Sequence, residues 1–311
     1  MASPNTDSLS ETTTISKHPA DAPFFEWRSS TGVLMLHGYS GSPTELQPMG
    51  QALVDAGYTV HIPLLAGHGG MPEELKGVRW EKWAESVVIG LQQLTEQCDT
   101  VFVCGFSMGG LLALHLAMHH PVAGIIAMAP ALHLYGETQL RLTGLLKFVM
   151  PWYYPFAKAD FTDPKVRASI YERTPEANLD DSKVVEYIRQ TVRIPVDSLY
   201  ELIRLRDTVK GRLSRITNPI LFMHGHHDPT VQPSSIREIA THINSEEQRT
   251  VWFERSGHML PLDVERESVW AEAITWIAQR CQQPTSSIST PPDNFGYTPT
   301  VSMSETNLHN R

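Results

Sequence analysis

The stretch Gly105-Phe106-Ser107-Met108-Gly109 decides the fold of this chain. It follows a short apolar run, Val101–Cys104, and opens an Ala- and Leu-rich run that stops before Pro121. The order is therefore a strand, a serine flanked by glycines, and a helix. A sharp strand-to-helix turn exposes the serine hydroxyl, and glycines let the turn pack closely and adopt strained angles. Ser107 is thus a candidate nucleophile that faces the positive end of a helix dipole.

Short apolar runs recur along the chain and are separated by segments of helical length. The predicted strands are Val33–Leu36, Val60–Ile62, Val101–Cys104, Gly124–Ala129, Pro219–Met223 and Thr250–Phe253. Besides the helix after Ser107, the predicted helices are Pro43–Ala56, Trp80–Gln97 and Val264–Arg280, the last with Asp263, Glu265 and Glu267 in its first turn. Strands that alternate with helices indicate a mostly parallel sheet covered by helices on both faces.

The alternation breaks between Ala131 and Ile216, where the sequence shows helical patterns and no convincing strand. We therefore predict a helical cap at 131–216, inserted into an α/β core formed by 23–130 and 217–281. The aromatic run Met150–Phe156 within the cap would either line a ligand pocket or seal the cap onto the core. Both ends, 1–22 and 282–311, are rich in Ser, Thr, Pro and Asn and are predicted to be disordered tails.

Composition narrows the class of protein. A chain of 311 residues with 41% hydrophobic and 19% charged residues should form a globular core. A net charge of −9 and a pI near 5.8 argue against a nucleic-acid binder. The sequence has neither an apolar run of membrane-spanning length nor a signal-peptide core, which predicts no stable membrane insertion. Three cysteines without a disulfide framework favour a cytoplasmic location, and we expect a monomer or a weak homo-oligomer.

A nucleophilic serine needs a histidine base, and that histidine needs an orienting carboxylate. Among 14 histidines, His258 follows the predicted strand Thr250–Phe253, and Asp228 follows the strand before it. Both therefore fall at the carboxyl edge of the sheet, the edge that also carries Ser107. The segment after Gly124–Ala129 begins with Pro130 and supplies no carboxylate directly, which disfavours the main alternative for the acid. We predict a Ser107, Asp228 and His258 constellation.

These pieces resemble the α/β-hydrolase superfamily and, within it, the bacterial carboxylesterases and monoacylglycerol lipases that carry a cap. The matching segments, which span residues 24–280, are Leu36–Ser42, Gly67–Gly69, Gly105–Gly110, His224–Asp228 and Ser256–His258. The resemblance implies an α/β-hydrolase fold with an inserted helical cap. It also implies hydrolysis of a small-molecule ester, either a short- to medium-chain acyl ester or a monoacylglycerol, through an acyl-enzyme. The oxyanion would be held by the backbone N–H groups of Tyr39 and Met108.

Several other interpretations compete with this one. The spacing His224-x-His226-x-Asp228 is reminiscent of a metal site, but Pro229 stands where such a hydrolase would place a further histidine. We therefore predict that no metal or other cofactor is needed. Carbon–carbon bond hydrolases share the Gly-x-Ser-Met-Gly-Gly motif, and thioesterases use the same oxyanion chemistry, so both stay as alternatives. A binding protein without catalysis is a further alternative, which the presence of Ser107, Asp228 and His258 disfavours.

Overall fold

A computed structural model of the chain describes residues 21–137, 142–171, 174 and 176–282. The predicted tails, 1–22 and 282–311, lie outside the described residues except for 21, 22 and 282. The strands are Phe24–Glu26 (β1), Thr31–Leu36 (β2), Thr59–Ile62 (β3), Thr100–Phe106 (β4), Gly124–Met128 (β5), Trp152–Tyr153 (β6), Ile194–Pro195 (β7), Ile220–Gly225 (β8) and Gln248–Phe253 (β9). The α-helices are Gln47–Asp55 (α1), Pro72–Leu75 (α2), Trp80–Thr95 (α3), Met108–Ala117 (α4), Thr143–Leu146 (α5), Pro164–Tyr171 (α6), Ser182–Thr191 (α7), Val196–Lys210 (α8), Ser234–His242 (α9) and Arg266–Cys281 (α10).

Seven of these strands form one sheet in the order β1-β3-β2-β4-β5-β8-β9. β1 pairs antiparallel with β3, and every other pair is parallel. This confirms the predicted mostly parallel sheet. β4 lies at its centre, so the turn at Ser107 emerges in the middle of the carboxyl edge, where ligands of open α/β sheets bind.

The core has one apolar cluster on each face of the sheet, as the alternation of side chains along a strand requires. In β4, Val101 and Val103 pack with α3, α4 and α8, whereas Phe102, Cys104 and Phe106 pack with α1 and α10. α4 is buried along nearly its whole length, which explains why its sequence is apolar on all sides. The helix that begins at the serine is therefore fixed against the centre of the sheet.

Close backbone contacts explain the two glycines that flank the serine. A Cβ atom on Gly105 would lie 2.1 Å from the carbonyl oxygen of Gly109. A Cβ atom on Gly109 would lie 2.0 Å from the carbonyl oxygen of Leu36 at the end of β2. Both neighbours are backbone atoms, which cannot move aside as a flexible side chain would. The turn therefore requires glycine at these positions for packing between β4, α4 and β2.

We expect Gly109→Ala to lower the free energy of unfolding by about 3 kcal/mol, because the new methyl group would force β2 and α4 apart. Urea unfolding of the full chain measures this change. Gly211→Ala is the matched control, since its Cβ would meet the nearest atom, Asp207 O, at an ordinary 3.4 Å. A loss at Gly109→Ala no larger than at Gly211→Ala would contradict the contact with Leu36.

The insertion between β5 and β8 differs from the prediction in one respect. It is mainly helical, but β6 and β7 form a two-stranded antiparallel ribbon that pairs Trp152 with Pro195 and Tyr153 with Ile194. Two-residue strands beside prolines carry no alternation that a sequence pattern could reveal. Phe161, Ile170, Leu179 and Ile188 form a small apolar cluster of the insertion itself. By contrast, α8 packs into the large cluster with α3 and α4.

Trp152 in the aromatic run Met150–Phe156 lies between two cations. Lys76 Nζ is 5.6 Å and the Arg193 guanidinium 4.7 Å from the centre of its ring. Lys76 follows α2, outside the insertion, so this contact joins the ribbon to the core. Tyr153 and Tyr154 are exposed. The described contacts of Trp152 therefore favour the sealing interpretation of this run over the pocket interpretation.

Among the described residues, no helix combines the length and apolar character that crossing a bilayer requires.

Candidate active site

Ser107 occupies a strained turn at the end of β4. Its φ of +55° lies in the left-handed region, which is uncommon for a residue other than glycine. The turn is held by the Ser107 N–H, which donates to Met128 O at 2.9 Å, and by the Ser107 carbonyl, which accepts from Ala131 N at 3.2 Å. The end of β5 and the segment after it thus hold both the N–H and the carbonyl of the serine. Ser107 is buried, with 8% of its surface exposed.

The structure brings the three predicted side chains together. His258 Nε2 lies 3.1 Å from Ser107 Oγ, and His258 Nδ1 lies 2.8 Å from Asp228 Oδ2. The Phe106 ring packs against the imidazole with its centre 5.0 Å away. Serine and histidine are 151 residues apart in the chain, and the sheet edge alone brings them within hydrogen-bond distance. Their distances suit proton transfer from a serine hydroxyl to an imidazole.

Asp228 is held as a carboxylate in this arrangement. Its Oδ1 accepts hydrogen bonds from the N–H groups of Thr230 and Val231, both at 2.8 Å, while its Oδ2 faces His258. Burial raises the pKa of Asp228, but these hydrogen bonds and the His258 partner outweigh burial and hold the pKa below its usual range. An ionised Asp228 accepts a hydrogen bond from Nδ1–H, which leaves the Nε2 lone pair of His258 facing the serine hydroxyl.

Two further carboxylates hold the loop that carries His258. Asp263 Oδ2 accepts from Gly257 N at 2.6 Å, and Glu265 Oε2 accepts from Arg255 N and from Ser256 Oγ, both at 2.8 Å. This corrects the predicted start of the last helix. α10 begins at Arg266, with Glu265 at its N-cap position and Glu267 as the acidic residue of its first turn. The carboxylates of Asp263 and Glu265 bind the preceding loop.

The predicted oxyanion residues lie on the two segments next to the serine. Met108 opens α4, and the first N–H groups of a helix have no acceptor within that helix. Tyr39 follows β2, which pairs with β4 up to Leu36 and Gly105. A Cβ atom on Gly38 would lie 3.2 Å from the Phe106 ring, which places the Tyr39 loop directly beside the serine turn. The loop is tied by a hydrogen bond from Gly38 N to Glu45 Oε2 at 3.2 Å.

The sequence did not identify the role of His224, which lies next to Asp228. His224 Nε2 is 3.2 Å from Val231 O and 3.6 Å from Asp228 Oδ2, and the ring is fully buried. Burial lowers the pKa of His224, although the charge of Asp228 opposes this shift. His226, by contrast, points to Glu254 on the surface. His226 therefore does not join His224 and Asp228, and the described residues contain no group of three or more ligating side chains suited to a metal.

His37 and His68 form a buried pair behind the Tyr39 loop, with ring centres 5.1 Å apart. His37 Nδ1 faces Gly38 O at 2.9 Å, and its Nε2 accepts from Leu65 N at 3.2 Å. These partners fit only the neutral imidazole with its proton on Nδ1. Burial, together with the neighbouring His68, lowers the pKa of His37 to about 3, and burial lowers the pKa of His68 to about 4.

Stability should therefore fall in mild acid. Below an ordinary histidine pKa near 6.5 the unfolded chain binds a proton at each position, whereas folded His37 stays neutral down to about pH 3. His37 thus contributes stability that is present above pH 6.5 and lost as the pH falls toward 3. We expect His37→Gln to reduce the slope of unfolding free energy against pH by about 1.4 kcal/mol per unit between pH 6 and 4.5.

Urea unfolding at several pH values measures this slope. Glutamine can both donate to Gly38 O and accept from Leu65 N, so the variant should fold. The same substitution at His242, an exposed position of α9, is the matched control. Equal slopes in the unsubstituted protein and in His37→Gln would show that His37 does not remain neutral on folding.

Known proteins resemble this chain over most of its length. The sequence model of the family described as Serine aminopeptidase, S33 (Hydrolase_4) matches residues 29–265. A thermostable monoacylglycerol lipase of Bacillus sp. (strain H-257) is 32% identical over 258 residues, which cover 83% of this chain and 94% of that protein. A carboxylesterase of Bacillus subtilis (strain 168) is 27% identical over 256 residues, which cover 82% and 95%.

The fold is shared with solved structures as well. A chain from a study of two metagenome-derived lipolytic enzymes superposes with a TM-score of 0.70 at 26% identity, and the match covers 84% of this chain and 98% of that one. Each match covers nearly the whole of the related protein, so the similarity extends over the sheet, the serine turn and the insertion between β5 and β8.

Proposed function

This chain belongs to the Serine aminopeptidase, S33 (Hydrolase_4) family, and we propose from that premise that it cleaves carboxylic esters through an acyl-enzyme formed on Ser107. The relatives confirm an α/β-hydrolase fold and a hydrolase of the lipase and esterase type. The observation that carries the finer proposal is the continuous set of hydrogen bonds from Ser107 Oγ through His258 to Asp228. A buried histidine that joins a serine to an ionised carboxylate is the arrangement that activates a hydroxyl.

The reaction begins when Ser107 Oγ attacks the ester carbonyl carbon and His258 Nε2 takes the hydroxyl proton. Asp228 stabilises the imidazolium that forms, and the N–H groups of Tyr39 and Met108 donate to the oxyanion. The imidazolium then protonates the leaving alcohol as the carbon–oxygen bond of the ester breaks. In the second half, water attacks the acyl carbon while His258 takes a proton from it. The imidazolium returns that proton to Ser107 Oγ as the bond between Oγ and the acyl carbon breaks and the carboxylic acid leaves. The nucleophile, the base and the oxyanion donors in these steps all belong to this chain.

The substrate that we propose is a short- to medium-chain acyl ester or a monoacylglycerol. The support comes from two relatives, one named a monoacylglycerol lipase and one named a carboxylesterase, each matched over more than nine-tenths of its length. The cytoplasmic location and the monomeric or weakly associated state stay predictions from the sequence.

A substrate panel tests this proposal. We expect hydrolysis of p-nitrophenyl esters and of monoacylglycerols of increasing acyl length, with a rate that depends on Ser107. Thioesters and vinylogous diketone substrates in the same panel distinguish the alternatives. Turnover of the diketone without turnover of any ester would favour a carbon–carbon bond hydrolase, and a preference for thioesters would favour a thioesterase. No turnover of any compound, together with tight binding of one of them, would favour a binding protein.

A further inference from the structure

The side chain of Tyr39 forms a contact that its proposed role as a backbone donor does not use. Its hydroxyl oxygen lies 2.5 Å from Ser198 Oγ, although the two residues are 159 positions apart. Ser198 Oγ donates to Pro195 O at 2.8 Å. A serine hydroxyl has one proton to donate, so Tyr39 must be the donor in the first contact. The bonds therefore run in one direction, from Tyr39 to Ser198 to the carbonyl of Pro195.

The far end of this relay belongs to the insertion. Pro195 ends β7 and pairs with Trp152 in the ribbon, while Ser198 lies in the first turn of α8. The first two turns of α8 are attached to the core, because Asp197 Oδ2 accepts from Gly77 N at 2.8 Å and Glu201 Oε2 accepts from Trp80 N at 3.2 Å. The relay thus ends where the ribbon, α8 and the core meet.

The near end of the relay lies in a loop that needs support. Ser40, directly after Tyr39, has a φ of +54°, and non-glycine residues persist in this conformation when the surroundings hold them there. Hydrogen bonds hold the residues on either side, with Gly38 N donating to the Glu45 carboxylate and Gly41 N donating to Gly38 O. The Tyr39 ring is bordered edge-on by His68 and Trp83, each with its centre 6.3 Å away. The hydrogen bond from the Tyr39 hydroxyl to Ser198 Oγ fixes the position of the ring between these two neighbours.

We propose that the Tyr39 hydroxyl is a positioning group, which fixes the oxyanion donor at its own N–H by tying the loop to Ser198 and the ribbon. This inference rests on the proposed function, since it concerns the oxyanion hole of that reaction. The ribbon of the insertion thereby sets the position of a donor in the active site. A shift of the ribbon therefore moves the Tyr39 N–H relative to the reacting carbonyl, without any contact between the ribbon and the acyl group.

Two variants test the relay, Tyr39→Phe and Ser198→Ala. Removal of an oxyanion donor costs about 10²–10³-fold in kcat, and a donor that is misplaced but present should cost less, about tenfold. We expect each variant to lower kcat on a p-nitrophenyl ester about tenfold and to change KM less than about twofold, because Ser198 is fully buried and the Tyr39 hydroxyl that it binds is directed toward it. The double variant should lose no more than either single variant, since both break one relay.

Tyr153→Phe is the matched control, because it removes a hydroxyl from an exposed tyrosine of the same ribbon and should leave kcat and KM unchanged. Thermal unfolding of each variant checks that the fold is kept. If Ser198→Ala does not fold, Tyr39→Phe by itself tests the relay. Unchanged kcat in Tyr39→Phe, a loss confined to KM, or losses that add in the double variant would each overturn the relay. The proposed function fails separately, if the unsubstituted protein and Ser107→Ala hydrolyse esters equally.

Discussion

Ser107→Ala is expected to lower kcat on esters by about 10⁴-fold or more while the fold is kept. The substitution removes one oxygen atom, and with it both the nucleophile and the contact with His258 Nε2 at 3.1 Å. The backbone bonds of the turn, from Ser107 N to Met128 O and from Ala131 N to Ser107 O, do not involve the side chain and stay in place. The remaining donors and the histidine can still bind an ester but cannot form the acyl-enzyme.

Steady-state kinetics on a p-nitrophenyl ester measures this loss, and thermal unfolding verifies the fold. Ser214→Ala is a suitable control, because Ser214 is exposed and lies in the short 3-10 turn Leu213–Arg215, which precedes β8. That variant should keep its activity within about twofold of the original, as surface changes usually do. A Ser107→Ala variant that keeps one-tenth of the activity would assign the nucleophile to another residue.

Asp228→Asn should depress kcat nearly as strongly, by about 10⁴-fold, through the wrong histidine tautomer. The hydrogen bonds around Asp228 determine which way the amide of the new asparagine is oriented. The N–H groups of Thr230 and Val231 both donate to Oδ1, so the amide oxygen must stay there and the NH2 group must take the place of Oδ2. An NH2 group donates to Nδ1 of His258, which moves the imidazole proton to Nε2. The nitrogen that faces Ser107 then has no lone pair to accept a proton.

Kinetics on the same ester measures the effect, and an intact thermal transition separates it from unfolding. The comparison variant is Asp181→Asn, which makes the same chemical change at the exposed N-cap of α7. It should affect helix stability slightly and leave kcat unchanged. A nearly silent Asp228→Asn would mean that a different carboxylate orients His258, or that the imidazole needs no orientation.

Much of the fold was predictable because the central elements carry their own patterns. β4 alternates between the two apolar clusters, and the glycines around Ser107 are required by backbone contacts that any such turn would make. Short elements were not predictable. β1 has three residues, β6 and β7 have two each, and α9 follows a loop whose hydrogen bonds were not visible in the sequence. The predicted helix from Pro43 is observed as a 3-10 turn, Pro43–Glu45, followed by α1.

The candidate site was predictable to the extent that strand ends share one edge of a parallel sheet. Ser107, Asp228 and His258 each follow a strand, and topology then brings them together. The supporting contacts depend on distances that no spacing in the chain encodes. Three contacts of this kind form only once the chain has folded. They are the contact between His224 and Asp228, the hydrogen bond from Gly257 N to Asp263, and the hydrogen bond between Tyr39 and Ser198.

The most direct measurement is covalent labelling of the full chain with an alkyl fluorophosphonate at neutral pH, followed by peptide mass spectrometry to locate the adduct. This reagent reacts with a serine whose hydroxyl is activated by a neighbouring base and loses fluoride as the new phosphorus–oxygen bond forms. We expect one adduct per chain, on Ser107, which is lost in Ser107→Ala and forms far more slowly in His258→Ala. An adduct on a different residue, or none in a protein that still hydrolyses esters, would contradict the assignment of Ser107 as the nucleophile.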